Sequence, residues 1–491
     1  MIAADVVVVG AGTAGSVLAA RLSEDPARRV VLVEEGPIPA SAAHLPAELL
    51  DARRVPGAET EGAFNRWFPV ELTPRRDWRV SRGRVAGGSS ATNGAYFVHA
   101  RPADLADWSG GTGPWAPDAL AERRAALERD LDLGAAGGHG DAGPVPVARS
   151  PLTHPAAEAF VAAATGAGHA FVADLNGADD HGVGPLPANA AAGVRWSAAS
   201  THLLPALGRG NLRIVERTAV HAVRLRRGRA TGVSTARGEI AAPLVVLAAG
   251  ALTTPAILLR SGVGPAPALG AAGVPAALDA PGVGGQLSDH PQVVVTWRPA
   301  APLPRPEAAW AGALLDAPAD AGGDLEVLQS LVPMGGLTRT DPGDGPLPLL
   351  VSAHARQAPG SLTLEPDGTV RIRQGYLRTA ADRARLRQGA RLAAEVAHGM
   401  RGEVDPGPAV LRDDAALDRW VAEHLGTALH ACATVPWRLP DGAPGPVDEA
   451  GAVRGIDGLV VADTSILPTA PSRGPAATAF LIGEVVAAAL R

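Results

Sequence analysis

The sequence predicts an α/β protein in which a parallel βαβ domain is interleaved with a lobe of antiparallel sheet and helices. Three observations predict it. A β-branched run at 5–9 (DVVVV) meets glycines at 10, 12 and 15, then a helical stretch, then a second run at Val30–Val33. Later segments alternate apolar and polar residues, the period of strands with one wet face. The chain, at 491 residues, is long enough to bury more than one core.

Taken in order, SVLAARLSE after Gly15 spaces its apolar residues for a helix, and Val30–Val33 ends at Glu34-Glu35-Gly36. Strand, glycine turn, helix and strand together make a crossover and therefore a parallel sheet. Residues 37–80 show no long periodic element and read as irregular connection. The stretch 82–98 (RGRVAGGSSATNGAYFV) is rich in small residues, 101–135 is helical, and GAAGGHGDAGPVPV marks a boundary. A helix is predicted from His154 to Gly168. Leu212 to Val233 reads as antiparallel strands turning at Arg227-Gly228, and Leu244–Ala249 as a buried strand opening a turn at GALTTPAILLRSGVG. Residues 295–375 are rich in Pro and Gly, with strand-like runs DLEVLQSLVPM, LPLLVSAHA and SLTLEPDGTVRIR. A long helix is predicted over Arg378–His398, a strand over Leu459–Ala462 and a closing helix over Ala477–Leu490. The division that follows gives 1–135, 201–292 and 441–491 to the nucleotide-binding domain, and 136–200 and 293–440 to the substrate domain.

Composition removes several classes of function. With net charge -6 and no lysine among its 44 cationic residues, the chain offers no broad basic surface to nucleic acid. One cysteine, Cys432, excludes an internal disulfide framework and a cysteine metal cluster, and suits a reducing cytoplasm. No H-E-x-x-H, paired cysteines or carboxylate cluster suggests a metal, and no G-x-S-x-G elbow suggests a hydrolase. No window reaches the roughly 20 apolar residues of a membrane span, so a soluble protein is expected, with peripheral membrane contact left open.

Gly10, Gly12 and Gly15 make G-x-G-x-x-G between strand and helix. The first permits the turn, the second lets a pyrophosphate approach the backbone, and the third lets helix and strand pack closely. Thr13 and Ala14 then offer helix N-terminal N–H groups to the phosphate. Glu34, at the end of the second strand, is placed to accept hydrogen bonds from ribose hydroxyls, whereas Glu35 points to the other face. The fingerprint by itself leaves FAD and NAD both open.

Four ordered blocks resemble the glucose–methanol–choline (GMC) oxidoreductases: RGRVAGGSSATNGAYF (82–97), GALTTPAILLRSGVGP (250–265), GVGGQLSDHP (282–291) and VVADTSILPTAPSRGPAATAFLIGE (460–484). The glycine-loop wording is similar to the mycofactocin-associated branch. The resemblance implies an FAD-binding Rossmann-like domain beside a substrate domain. It places Val85, Asn93 and Gly94 along the flavin, Val220 at the adenine and Asp463 near the ribityl or pyrophosphate. Relatives that link FAD covalently do so through a histidine where this chain has Thr92, so noncovalent FAD is expected.

The resemblance further implies a flavin-dependent alcohol dehydrogenase or oxidase. In T427-A-L-H430 it gives His430 the role of general base, apt because an unperturbed histidine titrates near 6.5. Relatives place a second His or Asn where this chain has Gly474, so that either His430 works alone, or Arg473 or another residue makes that contact, or an unusually large substrate takes the space. Pro475 and Ala476 open the closing helix, whose positive end would stabilise charge on the reduced ring. The mycofactocin branch would make the substrate a reduced redox carrier whose electrons pass to a respiratory acceptor. A hydroxynitrile-lyase-like enzyme and a catalytically decayed flavin-binding partner stand as alternatives.

Overall fold

Short runs rich in valine and leucine form one largely buried parallel sheet, against which the helix Thr13–Leu22 and the antiparallel strand Arg229–Thr235 pack. In the computed structural model, which describes residues 2–177, 181–338 and 343–491, the strands are β1 (Val6–Val9), β2 (Val30–Val33), β3 (Leu212–Val215), β4 (Leu244–Leu247) and β5 (Leu459–Val461). Their spatial order is β3-β2-β1-β4-β5, every neighbour parallel. This doubly wound order reverses between β1 and β4, the place where such sheets bind ligands beyond their carboxyl ends. Helix α1 (Thr13–Leu22) joins β1 to β2, and α2 (Ala476–Ala489) lies along α1. Arg21 of α1 donates to both carboxylate oxygens of Glu484 on α2, each at 3.0 Å.

A second, seven-stranded antiparallel sheet is built from Gly182–Pro185, Ala311–Pro318, Asp324–Ser330, Leu347–His354, Pro291–Pro299 and Gly402–Asp405, with Gly426–Thr427 added beside Pro291. The helix Ala380–Gly399 covers it, burying Leu386, Ala390, Ala393 and Ala397 at helical spacing. Its start is fixed by a capping box between Thr379 and Asp382.

The structure departs from the sequence reading in three places. Residues 37–80 contain most of a hairpin, Asn65–Thr73 paired with Arg76–Gly83. Arginines over rings hold it, Arg79 on Trp67 at 5.2 Å and Arg76 on Trp78 and Arg66 on Phe68 at 5.0 Å. Cation–π stacks leave no apolar periodicity to read. Leu212–Val215 joins the parallel sheet instead of an antiparallel one; at the sheet edge it is half-wetted and alternates like an antiparallel strand. Ala311–Pro318 is a strand with no strand signal in AGALLDAP. Among the described residues, no helix is long and apolar enough to cross a membrane.

Candidate active site

The glycine turn lies at the reversal point of the parallel sheet. Gly10 has φ +98°, and a Cβ there would stand 2.6 Å from Ala248 O just past β4, so glycine alone lets the two strand ends close together. Helix α1 starts with no side-chain cap and no acid in its first turn, which leaves its N–H groups and partial positive charge directed at an anion. Glu34 is 7 % exposed; its Oε2 accepts from Ala11 N and its Oε1 from Gly36 N, both at 2.7 Å. Burial pushes its carboxyl up to about 7. Glu35 pairs with Arg66 at 2.6 Å. Gly87 N donates to Ala11 O at 2.7 Å, docking the loop 82–97 onto the turn.

A cavity of about 2230 Å³ runs from Gly10, Gly12, Thr13, Ala14, Glu34 and Val220 past Asn93, Gly94 and Asp463 to Pro475, Ala476 and His430. Sites for one small ligand occupy up to about 1000 Å³, so this one has room for a dinucleotide and a substrate together. Two of the sequence-predicted residues lie outside its lining. Gly15 packs against Gly10 O within the turn, and Val85 is buried beside Leu49 and Ala91. The carboxylate of Asp463 is taken up within the protein: Oδ2 accepts from Gly250 N at 2.8 Å and Thr254 Oγ1 at 2.5 Å, and Oδ1 from Ser465 N at 2.9 Å. It thus staples the turn after β4 to the stretch after β5. Helix α2, like α1, opens on the cavity with no side-chain cap and no acid in its first turn.

At the far end, Leu429 takes φ +66°, a strained conformation for leucine, and the chain turns His430 toward the cavity. Buried Asp289 organises the segment, its Oδ1 accepting from His430 N at 2.7 Å and His290 N at 2.8 Å, its Oδ2 from Thr427 Oγ1 and Gln374 Nε2 at 3.0 Å. The Nδ1 atoms of His430 and His290 are 2.9 Å apart and share one hydrogen. His354 donates from Nδ1 to Ser472 O at 2.7 Å and stacks its ring 4.1 Å from that of His290. Burial, then the proximity of His354 and of the Arg82 guanidinium, holds His430 well below its ordinary value. Burial and the other two histidines do the same to His290. Both rings are therefore neutral at neutral pH, and His430 keeps a lone pair for a proton.

Its Nε2 faces Gly474: a Cβ on that glycine would stand 3.3 Å from His430 Nε2 and only 2.2 Å from Tyr96 Cε1. Arg473 does not make the missing contact. It is 3 % exposed, paired with Asp316 at 3.3 Å and donating to Leu175 O at 2.5 Å, outside the cavity lining. Of the other histidines, His424 stacks on Trp420 on the solvated face, His99 pairs with Glu128, His154 caps the helix Pro155–Gly166 and His221 is exposed. Cys432 is fully buried and its thiol pushed far up by burial, which leaves it inert.

His290 reads from sequence as architectural, yet it touches His430. No motif marks His354 or Tyr96, although Tyr96 lies within the stretch 82–97, three residues after Asn93.

The GMC oxidoreductase family patterns match residues 4–292 and 356–483. An uncharacterized GMC-type oxidoreductase of Rhodococcus erythropolis is 39% identical over 99% of this chain and 98% of its own. The oxygen-dependent choline dehydrogenase of Rhizobium etli is 32% identical over 95% of this chain and 91% of its own. The crystal structure of pyridoxine 4-oxidase from Mesorbium loti superposes with a TM-score of 0.87 at 29% identity, covering 99% of both chains. Matched over most of its length by these patterns and relatives, the chain belongs to the GMC oxidoreductase family: it is an enzyme with FAD as its cofactor, acting on alcohol-type substrates.

Proposed function

We propose that the enzyme is an FAD-dependent alcohol dehydrogenase in which His430 Nε2 takes the hydroxyl proton as the carbinol carbon gives up a hydride. The observation that carries this reading is the placement of His430, fixed through Asp289 and His290 with Nε2 turned to the cavity, and its lowered pKa supports it. For Nε2 to accept, Nδ1–H donates to His290 Nδ1, which sets the tautomers of both rings. FAD supplies the hydride acceptor, N5. In this reading Gly12, Thr13 and Ala14 take the pyrophosphate, Glu34 the ribose and Val220 the adenine. Asn93, Gly94, Pro475 and Ala476 border the ring, where the uncapped start of α2 favours negative charge. Thr92 has no ring nitrogen to form a covalent link, so acid precipitation is expected to release all the flavin into the supernatant.

The cavity's size and the glycine-loop wording support a large substrate, reduced mycofactocin, with electrons passed to a respiratory acceptor. Related enzymes carry both names, dehydrogenase and oxidase. The test is anaerobic flavin absorbance with reduced mycofactocin and a panel of simple alcohols, followed by reoxidation with oxygen or a quinone. Bleaching by the carrier and faster reoxidation by the quinone support the full reading. Bleaching by simple alcohols alone removes the carrier; no bleaching by any of them removes alcohol oxidation.

A further inference from the structure

Where relatives are expected to carry a second polar side chain, Gly474 supplies none, yet the room beside it is filled. The ring of Tyr96 occupies the place of a side chain at 474, 2.2 Å from the position a Cβ would take, and that same position is 3.3 Å from His430 Nε2. Tyr96 and Glu326 both line the cavity, and they are 2.5 Å apart through Tyr96 Oη and Glu326 Oε2. Gly474 N also donates to Tyr96 Oη, at 3.5 Å. We propose that Tyr96 is a catalytic residue that donates a hydrogen bond to the substrate oxygen opposite His430, with Glu326 as the positioning residue behind it. The inference rests on the alcohol-oxidation reading above.

The valences of the phenol oxygen are consistent with this. It accepts from Gly474 N and donates its hydrogen to Glu326 Oε2; when the Glu326 carboxyl carries a proton the direction reverses, and the phenol hydrogen is released to turn toward the cavity. Burial raises the Glu326 carboxyl above its ordinary range, and its charged neighbours are His354, Asp316 and Arg473 besides Tyr96 itself. As the alcohol proton passes to His430 Nε2, negative charge grows on the substrate oxygen. A buried donor aimed at that oxygen then acts as an oxyanion hydrogen bond. One side chain thereby closes the gap at 474 and supplies the polar contact the glycine lacks.

The experiment is anaerobic stopped-flow flavin reduction by an alcohol panel that includes reduced mycofactocin, on wild type, Tyr96→Phe, Glu326→Gln, Glu326→Leu and His430→Ala. Tyr96→Phe keeps the ring over Gly474. It is expected to lower the limiting reduction rate on the order of 10²-fold, with KM, flavin content and Tm close to wild type. Glu326→Gln can still bond the phenol and should retain most of the rate; Glu326→Leu should fall with Tyr96→Phe. A Tyr96→Phe enzyme as fast as wild type, beside an inactive His430→Ala, overturns the proposal and leaves alcohol oxidation standing. His430→Ala reducing at the wild-type rate, or no reduction of wild type by any of the panel, removes both together.

Discussion

In the proposed reaction His430 depends as a base on its neighbours more than on its own chemistry. Asp289 holds its backbone, His290 its Nδ1, and burial, then His354 and the Arg82 guanidinium, hold its pKa well below the ordinary value. A base whose pKa is lowered stays unprotonated at the usual histidine midpoint near 6.5. The expected kcat/KM profile is therefore flat through neutrality, with its acid limb below pH 6.5; a limb at or above that value would show the ring more solvated than its surroundings indicate. His430→Ala should keep FAD and lose about 10²- to 10⁴-fold in anaerobic flavin reduction, the range of general-base catalysis. His290→Phe removes the Nδ1 partner and should move the acid limb as well as the rate. At this scale the sequence was half legible. His430 could be named because a motif surrounds it, whereas His290, His354 and Tyr96 come together only through strand pairing across Ser288, Cys432 and the two sheets.

Among the elements, the two helices aimed at the cavity share one design, a start without cap or acid. Each therefore keeps its partial positive charge, about half an elementary charge, for a bound anion or anionic ring. The element that allows α1 to do this is the turn before it. Gly10→Ala puts a methyl 2.6 Å from Ala248 O at a left-handed φ, and the expected product is folded but flavin-poor protein. The ratio of flavin to protein absorbance checks it, and wild-type flavin content in this variant would contradict the turn's role. Helices and β-branched strands were readable because periodicity records burial. The hairpin Asn65–Gly83 was not, since arginine–ring stacks hold it.

Across the molecule, the glycine-rich stretch after residue 135 reads as a loose boundary, but it is pinned. His139 is 6 % exposed and bonded to Asp174 at 2.9 Å and Glu128 at 3.0 Å, and Arg149 joins Asp174 at 2.7 Å. Those bonds, Asp174 first and then Glu128, raise His139 to about 9. A raised histidine contributes stability that is complete below its unfolded value near 6.5 and is lost as pH climbs through about 9. Wild type should therefore lose Tm between those values, and His139→Gln should start lower and change less; parallel curves would exclude the linkage. A charge network drawn from separate segments carries no local signature in the sequence.

The interleaving of the parallel sheet also has a meaning in time. A ribosome releases β1 to β4 long before it makes β5 and α2, and the whole seven-stranded sheet except Gly182–Pro185 is synthesised between them. Until then the nascent dinucleotide layer has an unpaired β4 edge and no positive helix end facing the flavin ring. Cofactor capture is therefore expected late in biogenesis, and a cell short of riboflavin should accumulate chains whose last segment is open to proteases.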